Sequence, residues 1–179
     1  MRYAFFSDLH SNIFALDAVL TDIAAVGVDQ RYVLGDLVGY APWPNEVLDR
    51  LREEAIPIVM GNYDDGTGFG RDECGCAYTH PVEKALGDAG FAWTKAHTSE
   101  ANTAWLRTLA PQARFEADGL RFLLVQGSPR KIHEYPYEDK PDSTFRAGRH
   151  RCEADVIVCG HTHHPYDKTV GTNRFINDG

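Results

Sequence analysis

Four times along this chain a short apolar run of strand length gives way to a polar turn, and each turn carries side chains able to ligate a metal. The runs are residues 2–6, 32–34, 56–60 and 156–159. The turns are Asp8-Leu9-His10, Gly35-Asp36, Gly61-Asn62 and Gly160-His161-Thr162-His163. Between them lie helical periods such as Ile13, Leu16, Leu20 and Ile23. Alternation of this kind restricts the chain to an α/β architecture. In open α/β sheets, ligands bind beyond the carboxyl ends of strands, so four such ends can meet at one point. Two Asp, three His and one Asn there would form a mixed oxygen and nitrogen cage suited to first-row divalent ions.

Taken singly, most of these turns have ordinary explanations. Asp is a common helix N-cap, Gly-Asp is a frequent turn, and Gly-Asn favours left-handed backbone. Their joint occurrence, each directly after a strand, is what points to a metal site. The chain has 179 residues, 43% of them hydrophobic, which suits one domain with a sizeable core. A formal charge of −8 argues against a broad nucleic-acid or membrane surface, since those need a basic face. It leaves a nucleotide substrate open, because a pair of dications reverses the local sign. No run has the length of a membrane span, and the first residues reach Asp8 too soon for a signal peptide. These features predict a soluble, cytoplasmic protein with reduced cysteines. Cys152 and Cys159 read as small hydrophobes, and Cys74-Gly75-Cys76 lacks the spacing of zinc knuckles or redox motifs.

Helices are expected over residues 12–26, from Pro44 through Val47, Leu48 and Leu51, and over 82–95, 99–109 and 143–152. Strands are expected over the four apolar runs. Hairpins follow at 114–125, through Asp118-Gly119, and at 166–177. The Gly-rich stretch from Asp64 to His80 reads as an irregular loop, with Gly66, Gly68 and Gly70 as hinges of a flap and Phe69 as its apolar contact. Trp43, Trp93 and Trp105 are placed in the core by residue type, with Trp43 and Tyr40 also positioned to line a substrate mouth. Arg71, Arg130 and Lys131 are candidate phosphate contacts. Asp64 can orient a site residue or cap a turn. His164 should point away from the site, and His80, His97, His133 and His150 have no partner pattern.

Five segments together resemble the calcineurin-like metallophosphoesterase superfamily: Asp8-Leu9-His10-Ser11-Asn12, Gly35-Asp36-Leu37-Val38-Gly39-Tyr40, Gly61-Asn62-Tyr63-Asp64, Gln126-Gly127-Ser128 and Gly160-His161-Thr162-His163. They stand in that family's order and span nearly the whole chain, most like its small bacterial and archaeal phosphodiesterases. The resemblance implies a four-layer αββα sandwich of two mixed sheets flanked by helices, in a single domain over residues 1–179. It implies two divalent ions, manganese foremost with iron, zinc or nickel as alternatives. Asp8, His10 and His163 would hold the first ion, Asp36 would bridge, and Asn62 and His161 would hold the second. Asp36, Asn62 and Tyr63 would be the catalytic positions, with a metal-bound hydroxide attacking a phosphodiester. The substrate implied is a small phosphoester or nucleotide.

Three departures from the family pattern bear on that expectation. Gln126 stands where the family has a His ligand, and an amide is the weaker ligand, so the second ion should bind less tightly. Tyr63 stands where many members carry a His that protonates the leaving oxygen, and a phenol is a poor acid at neutral pH. The family's further C-terminal strands do not follow Phe175-Ile176-Asn177-Asp178-Gly179, which predicts an exposed edge over 174–177. Gln126 and Tyr63 also sustain an alternative reading, a catalytically weak metal-binding member that serves as a nucleotide- or protein-binding module.

Overall fold

The computed structural model describes residues 1–149 and 153–179. The chain opens with strand β1 (Tyr3–Phe6) and helix α1 (Ile13–Val26), then strand β2 (Gln30–Val33) and helix α2 (Pro44–Glu54). Asn12 caps α1 by accepting the Ala15 N–H at 3.1 Å, and Gly27 ends it in left-handed backbone. Pro44 starts α2, where its missing N–H goes unused. Three helices follow: α3 (Asn62–Gly68), α4 (Pro81–His97) and α5 (Glu100–Leu106). The hairpin β3 (Gln112–Ala117) and β4 (Leu120–Val125) leads to α6 (Asp142–Arg149), β5 (Val156–Cys159), β6 (Tyr166–Val170) and β7 (Asn173–Asn177). The expected end of α6 at Cys152, and His150 with it, lie outside the described residues.

Strand alternation sorts the core into three apolar layers. Phe6 and Val33 face α1 and α2, where Leu16, Leu20, Val47, Leu48 and Leu51 are buried. Their strand neighbours Phe5, Tyr32 and Leu34 face the other way, toward Leu124, Val156, Val158 and Ile176. The far side of that second sheet presents Leu123, Val125, Ile157 and Phe175 to Phe145 of α6. A period of two on each strand thus yields helix, sheet, sheet, helix, as expected for the αββα class. Aromatic stacking ties the two sheets, with Tyr32 of β2 over Phe115 of β3 at 4.9 Å, and Phe115 in turn stacks on its hairpin partner Phe122 at 4.6 Å. Such pairs contribute about 0.5–1.5 kcal/mol each beyond the area they bury.

The larger sheet is mixed, in the order β3-β4-β5-β7-β6, with β4, β5 and β7 parallel. In the smaller sheet β1 and β2 pair in parallel. Residues 56–60 extend that sheet only through single bridges, Val33 to Ile58 and Val59 to Ala110. Pro57 explains the shortfall against the expected strand: it accepts from the Val33 N–H at 3.0 Å but has no N–H to return. The exposed edge expected at 174–177 is not there, because β7 is flanked by β5 on one side and β6 on the other.

The expectation of an irregular loop from Asp64 also needs correcting at its start. Residues 62–68 form α3 despite two glycines, and the packing gives the reason. A Cβ on Gly66 would lie 2.7 Å from the Phe91 ring, and one on Gly68 would lie 3.2 Å from Leu106. Glycine lets α3 lie close against α4 and α5, and that tertiary contact outweighs the weak helix propensity. Two of the tryptophans differ from expectation too. Trp105 is half-buried against the core as expected, with Arg52 over its ring, whereas Trp43 is half-buried against Phe14 and Trp93 is exposed and stacked on His97.

Candidate metal centre

The four polar turns do meet, at the ends of β1, β2 and β5 and the start of α3. Asp8, His10, Asp36, His161 and His163 all adopt left-handed backbone, with φ between 45° and 68°. Non-glycine residues avoid that region at a cost of about 1–3 kcal/mol each where nothing local compensates, and clusters of them mark functional sites. Backbone pairing holds the turns in this shape. The N–H groups of Asp8, His10 and Ser11 donate to the carbonyls of Gly35, Asp36 and Leu37, so the turns after β1 and β2 are laced together.

One group of ligand atoms is tightly gathered. Asp8, His10 and His163 each place one ligand atom within 4.8 Å of the others. His163 Nε2 lies 3.3 Å from Asp8 Oδ1 and 3.3 Å from His10 Nε2, and Asp36 Oδ2 lies 3.9 Å from His10 Nε2. His10 Nδ1 stands 3.0 Å from the Val38 carbonyl, which can only accept, so Nδ1 carries the proton and Nε2 presents a lone pair. Two imidazole nitrogens and the Asp8 carboxylate gathered at one point, with Asp36 beside His10, call for a cation.

A second group lies deeper and is defined by missing partners. Among the described residues, Asn62 Oδ1 and His161 Nε2 are buried acceptors with no hydrogen-bond partner. The His133 carbonyl faces the His161 ring, and burial holds its imidazole down to about 4, so it is neutral at pH 7 with a lone pair to offer. Asn62 is oriented by donating its Nδ2 to the Cys74 carbonyl at 3.0 Å. Unpaired buried polar groups are costly, typically about 1–3 kcal/mol each. A divalent ion would satisfy both, so the residues present fit the metal that the first group also calls for.

The carboxylates have contrasting environments. Burial pushes Asp8 up, but hydrogen bonds from His10 and His163, the attraction of a protonated His10 and the Ser7 hydroxyl outweigh it and hold Asp8 well below the usual range. Asp36 is pushed well above its ordinary value, by burial first and then by the charges of Asp8 and Asp64. Asp64 performs both roles expected of it. It accepts from Gly61 N at 2.9 Å, capping α3, and from Leu37 N at 2.9 Å, bracing the turn that carries Asp36. Gly61 must be glycine there, since a Cβ would fall 2.0 Å from the Asp36 nitrogen.

Gln126 and Tyr63 occupy less direct positions. Gln126 donates Nε2 to Asp8 Oδ1 at 3.1 Å and leaves Oε1 buried without a partner. The structure brings it to Asp8, whereas Asn62 and His161 form the deeper group. Tyr63 wedges its ring edge-on against His10, while its hydroxyl meets that of Tyr78 at 2.9 Å. Burial, then Tyr40 and Tyr78, raise the Tyr63 phenol far above its ordinary value, which leaves it inert as an acid.

A cleft of about 180 Å³ opens over these groups, walled by Tyr40, Tyr63, Tyr78, Tyr135, Tyr137 and Cys76. Tyr40 sits at this mouth as expected. Tyr78, Tyr135 and Tyr137 carry no signal in the sequence reading above, although Tyr135-Pro136-Tyr137 soon after the Gln126 turn is a usable one, and Cys76, read there only as a reduced thiol, also lines the cleft. Phe69 is exposed and does not line the cleft, so only the later part of the expected flap, around Cys76 to Tyr78, reaches the site. Arg71 pairs with Asp65 and Arg130 with Glu134, away from the cleft. His164 turns to Tyr137, His80 caps α4, and neither joins the ligands.

Residues 1–179 match the calcineurin-like phosphoesterase superfamily domain. The chain belongs to this superfamily. An uncharacterized protein of Methanocaldococcus jannaschii is 30% identical over 178 residues, which is 98% of this chain and 68% of that one. A metallophosphoesterase from Sphaerobacter thermophilus is 28% identical with a TM-score of 0.75, matched over all of this chain and 76% of its own. A hypothetical protein from Pyrococcus horikoshii shares the fold at a TM-score of 0.82, with 20% identity over 99% of this chain and 76% of its own. Membership of the calcineurin-like phosphoesterases accounts for the strand-end placement of the metal-binding side chains. None of the helices among the described residues is long and apolar enough to cross a membrane.

A buried carboxyl behind the calcineurin-like site adds a pH dependence. Ser7 Oγ bonds to Asp8 and lies 2.8 Å from Asp178 Oδ1, whose other oxygen is buried and unpaired. Burial pushes Asp178 up to about 7, and burial does the same for Asp64. For a carboxyl raised on folding, the stability is complete below the unfolded value near 4 and lost as pH rises through the folded value. Chelated protein should therefore melt at a lower temperature at pH 8 than at pH 5, and Asp178→Asn should reduce that difference. Scanning calorimetry with chelator at the two pH values checks this, and an equal or higher melting temperature at pH 8 would contradict it.

Proposed function

We infer that this protein is a metal-dependent phosphodiesterase with a two-ion site. The observation that carries the reading is the convergence of Asp8, His10 and His163 within 4.8 Å, beside the unpartnered acceptors of Asn62 and His161. Asp36 lies 3.9 Å from His10 through Oδ2 and accepts the N–H of Tyr63, the residue after Asn62, through Oδ1, so it would serve both groups. Divalent ions held there would supply charge neutralisation and an activated water at neutral pH. The chain's own residues then orient and exclude. His10 is held by the Val38 carbonyl with Nε2 turned to the site, His161 stays neutral, Gln126 and the His161 N–H steady Asp8, and the tyrosine walls shed water.

The diester preference follows from charge. The cleft is lined by the Asp36 carboxylate, with Asp8 just behind it against His10 and His163, and neither Lys nor Arg is among its lining residues. A monoester dianion would face these carboxylates with only the ions as counter-charge, whereas a diester brings a single negative charge. Chelated protein reconstituted with Mn²⁺ should therefore cleave bis(p-nitrophenyl) phosphate with a higher kcat/KM than p-nitrophenyl phosphate. A reversed order would remove the diester assignment. No turnover of either, with ions bound, would favour the binding-module alternative.

A further inference from the structure

Five of the chain's eight tyrosines line the cleft over the candidate ion ligands: Tyr40, Tyr63, Tyr78, Tyr135 and Tyr137. They arrive from four separate segments, the turn after β2, helix α3, the stretch before α4 and the stretch after β4. Most of these rings are already engaged. Tyr63 is buried, and Tyr135 packs on His161 at 4.0 Å, with Tyr137 stacked on it in turn at 5.7 Å. Tyr40 differs, for it is 54% exposed. Its ring is nonetheless fixed, meeting His10 edge-on at 4.5 Å and leaning on Tyr63 at 5.1 Å, while its hydroxyl lies 3.0 Å from that of Tyr78. Its backbone is left-handed, with φ 54°, a region that a bulky side chain enters only under constraint. An exposed ring repays little of that cost by burial, and such outliers gather at ligand clamps.

Charge narrows what can land on that ring. Among the described residues neither Lys nor Arg lines the cleft, so affinity beyond the ions has to come from uncharged contact. An open aromatic face takes a planar group by stacking. The hydroxyls of Tyr40 and Tyr78 at the same rim can each donate to or accept from the polar edge of a heterocycle, which a plain hydrocarbon ring lacks. We propose that Tyr40 is a stacking platform for a nucleobase, so that the diester taken by this site is a nucleoside phosphodiester. The inference deepens the phosphodiesterase reading above and rests on it. A ring fixed before binding loses little freedom when the base arrives. Tyr40 also touches His10, one of the first group of ligands, so a base on its face stands beside the reacting phosphate.

Two probes with the same phosphate and sugar, AMP and ribose 5-phosphate, isolate the base. Calorimetric titration of the full-length protein loaded with Mn²⁺ should show AMP bound more tightly by roughly 5–150-fold, the range that one base–aromatic stack is worth. The ratio is compared within each variant, so a general change in ion binding cancels. Tyr40→Ala and Tyr40→Leu should bring it close to one, since leucine restores bulk without a π-face. Tyr40→Phe should keep most of it, and Phe69→Ala, at an exposed ring outside the cleft, should keep all of it. Equal binding of the two probes, no measurable binding of AMP, or a ratio that survives Tyr40→Leu would overturn the proposal. A ratio lost with Tyr40 in protein that cleaves no phosphodiester would leave the base subsite standing and remove the enzymatic reading. Turnover of aryl diesters by protein that binds the two probes equally would do the reverse.

Discussion

Asp36→Asn should abolish phosphodiester turnover while leaving the metal-free protein as stable as the parent or more so. The carboxylate is buried, and burial together with Asp8 and Asp64 opposes its ionisation, so a neutral isostere removes an unfavourable charge. Its Oδ1 accepts the Tyr63 N–H at 2.8 Å, which the Asn oxygen can still do. Asp36→Ala would also lose turnover, but it would orphan that buried donor at about 1–3 kcal/mol, so its stability effect is mixed. Removing one preorganised electrostatic group typically slows an enzyme on the order of 10²–10³-fold. A residue reaching both ion positions should cost at least that. Steady-state rates with saturating Mn²⁺ beside thermal melts in chelator separate the two effects. Substantial activity in Asp36→Asn would rule out the bridging role.

The second large effect concerns the leaving group. General acid catalysis is worth roughly 10²–10⁴-fold, and the residue that follows Asn62 is Tyr63 rather than an imidazole able to provide it. Tyr63 does not substitute, since its hydroxyl is turned to Tyr78 and its phenol is raised far from neutrality. Aryl diesters, which release a stable phenolate, should accordingly be cleaved about 10²–10⁴ times faster than alkyl diesters. Tyr63→Phe should change aryl turnover little, because the ring wedged against His10 and Phe91 remains. Tyr63→His should help alkyl substrates selectively, although the smaller ring leaves a gap beside Phe91 and lowers the melting temperature. Loss of aryl and alkyl turnover alike in Tyr63→Phe would make the hydroxyl a working part of the site.

The meeting of Asp8, His10, Asp36, Asn62, His161 and His163 was legible because each follows an apolar run within a few residues, where local pattern and topology carry the same information. The layers were legible for a similar reason, since Phe6 and Val33 alternate with Phe5 and Tyr32 at a period of two. What stayed hidden depends on distant packing. Helix α3 forms through glycines because Phe91, from α4, needs the space. Residues 56–60 lose most of their ladder to Pro57. Asp178 reaches Asp8 through Ser7, 171 positions away in the chain, and Cys76, Tyr78 and Tyr135 enter the cleft on irregular segments whose path no short pattern encodes.

His10 and His163 stand 153 positions apart in sequence and 3.3 Å apart in space. An ion shared between them closes nearly the whole chain into one ring, joining the turn after β1 to the turn after β5. For a covalent tie, a loop of ~100 residues already removes on the order of 4–5 kcal/mol of unfolded-chain freedom. The same distance orders events during synthesis. Asp8 and Asp36 leave the ribosome early, with their charges unanswered, and the imidazoles of His161 and His163 arrive more than a hundred residues later. Tight metal capture must therefore wait until translation has passed His163, which makes loading of the ion a late checkpoint on the integrity of the chain.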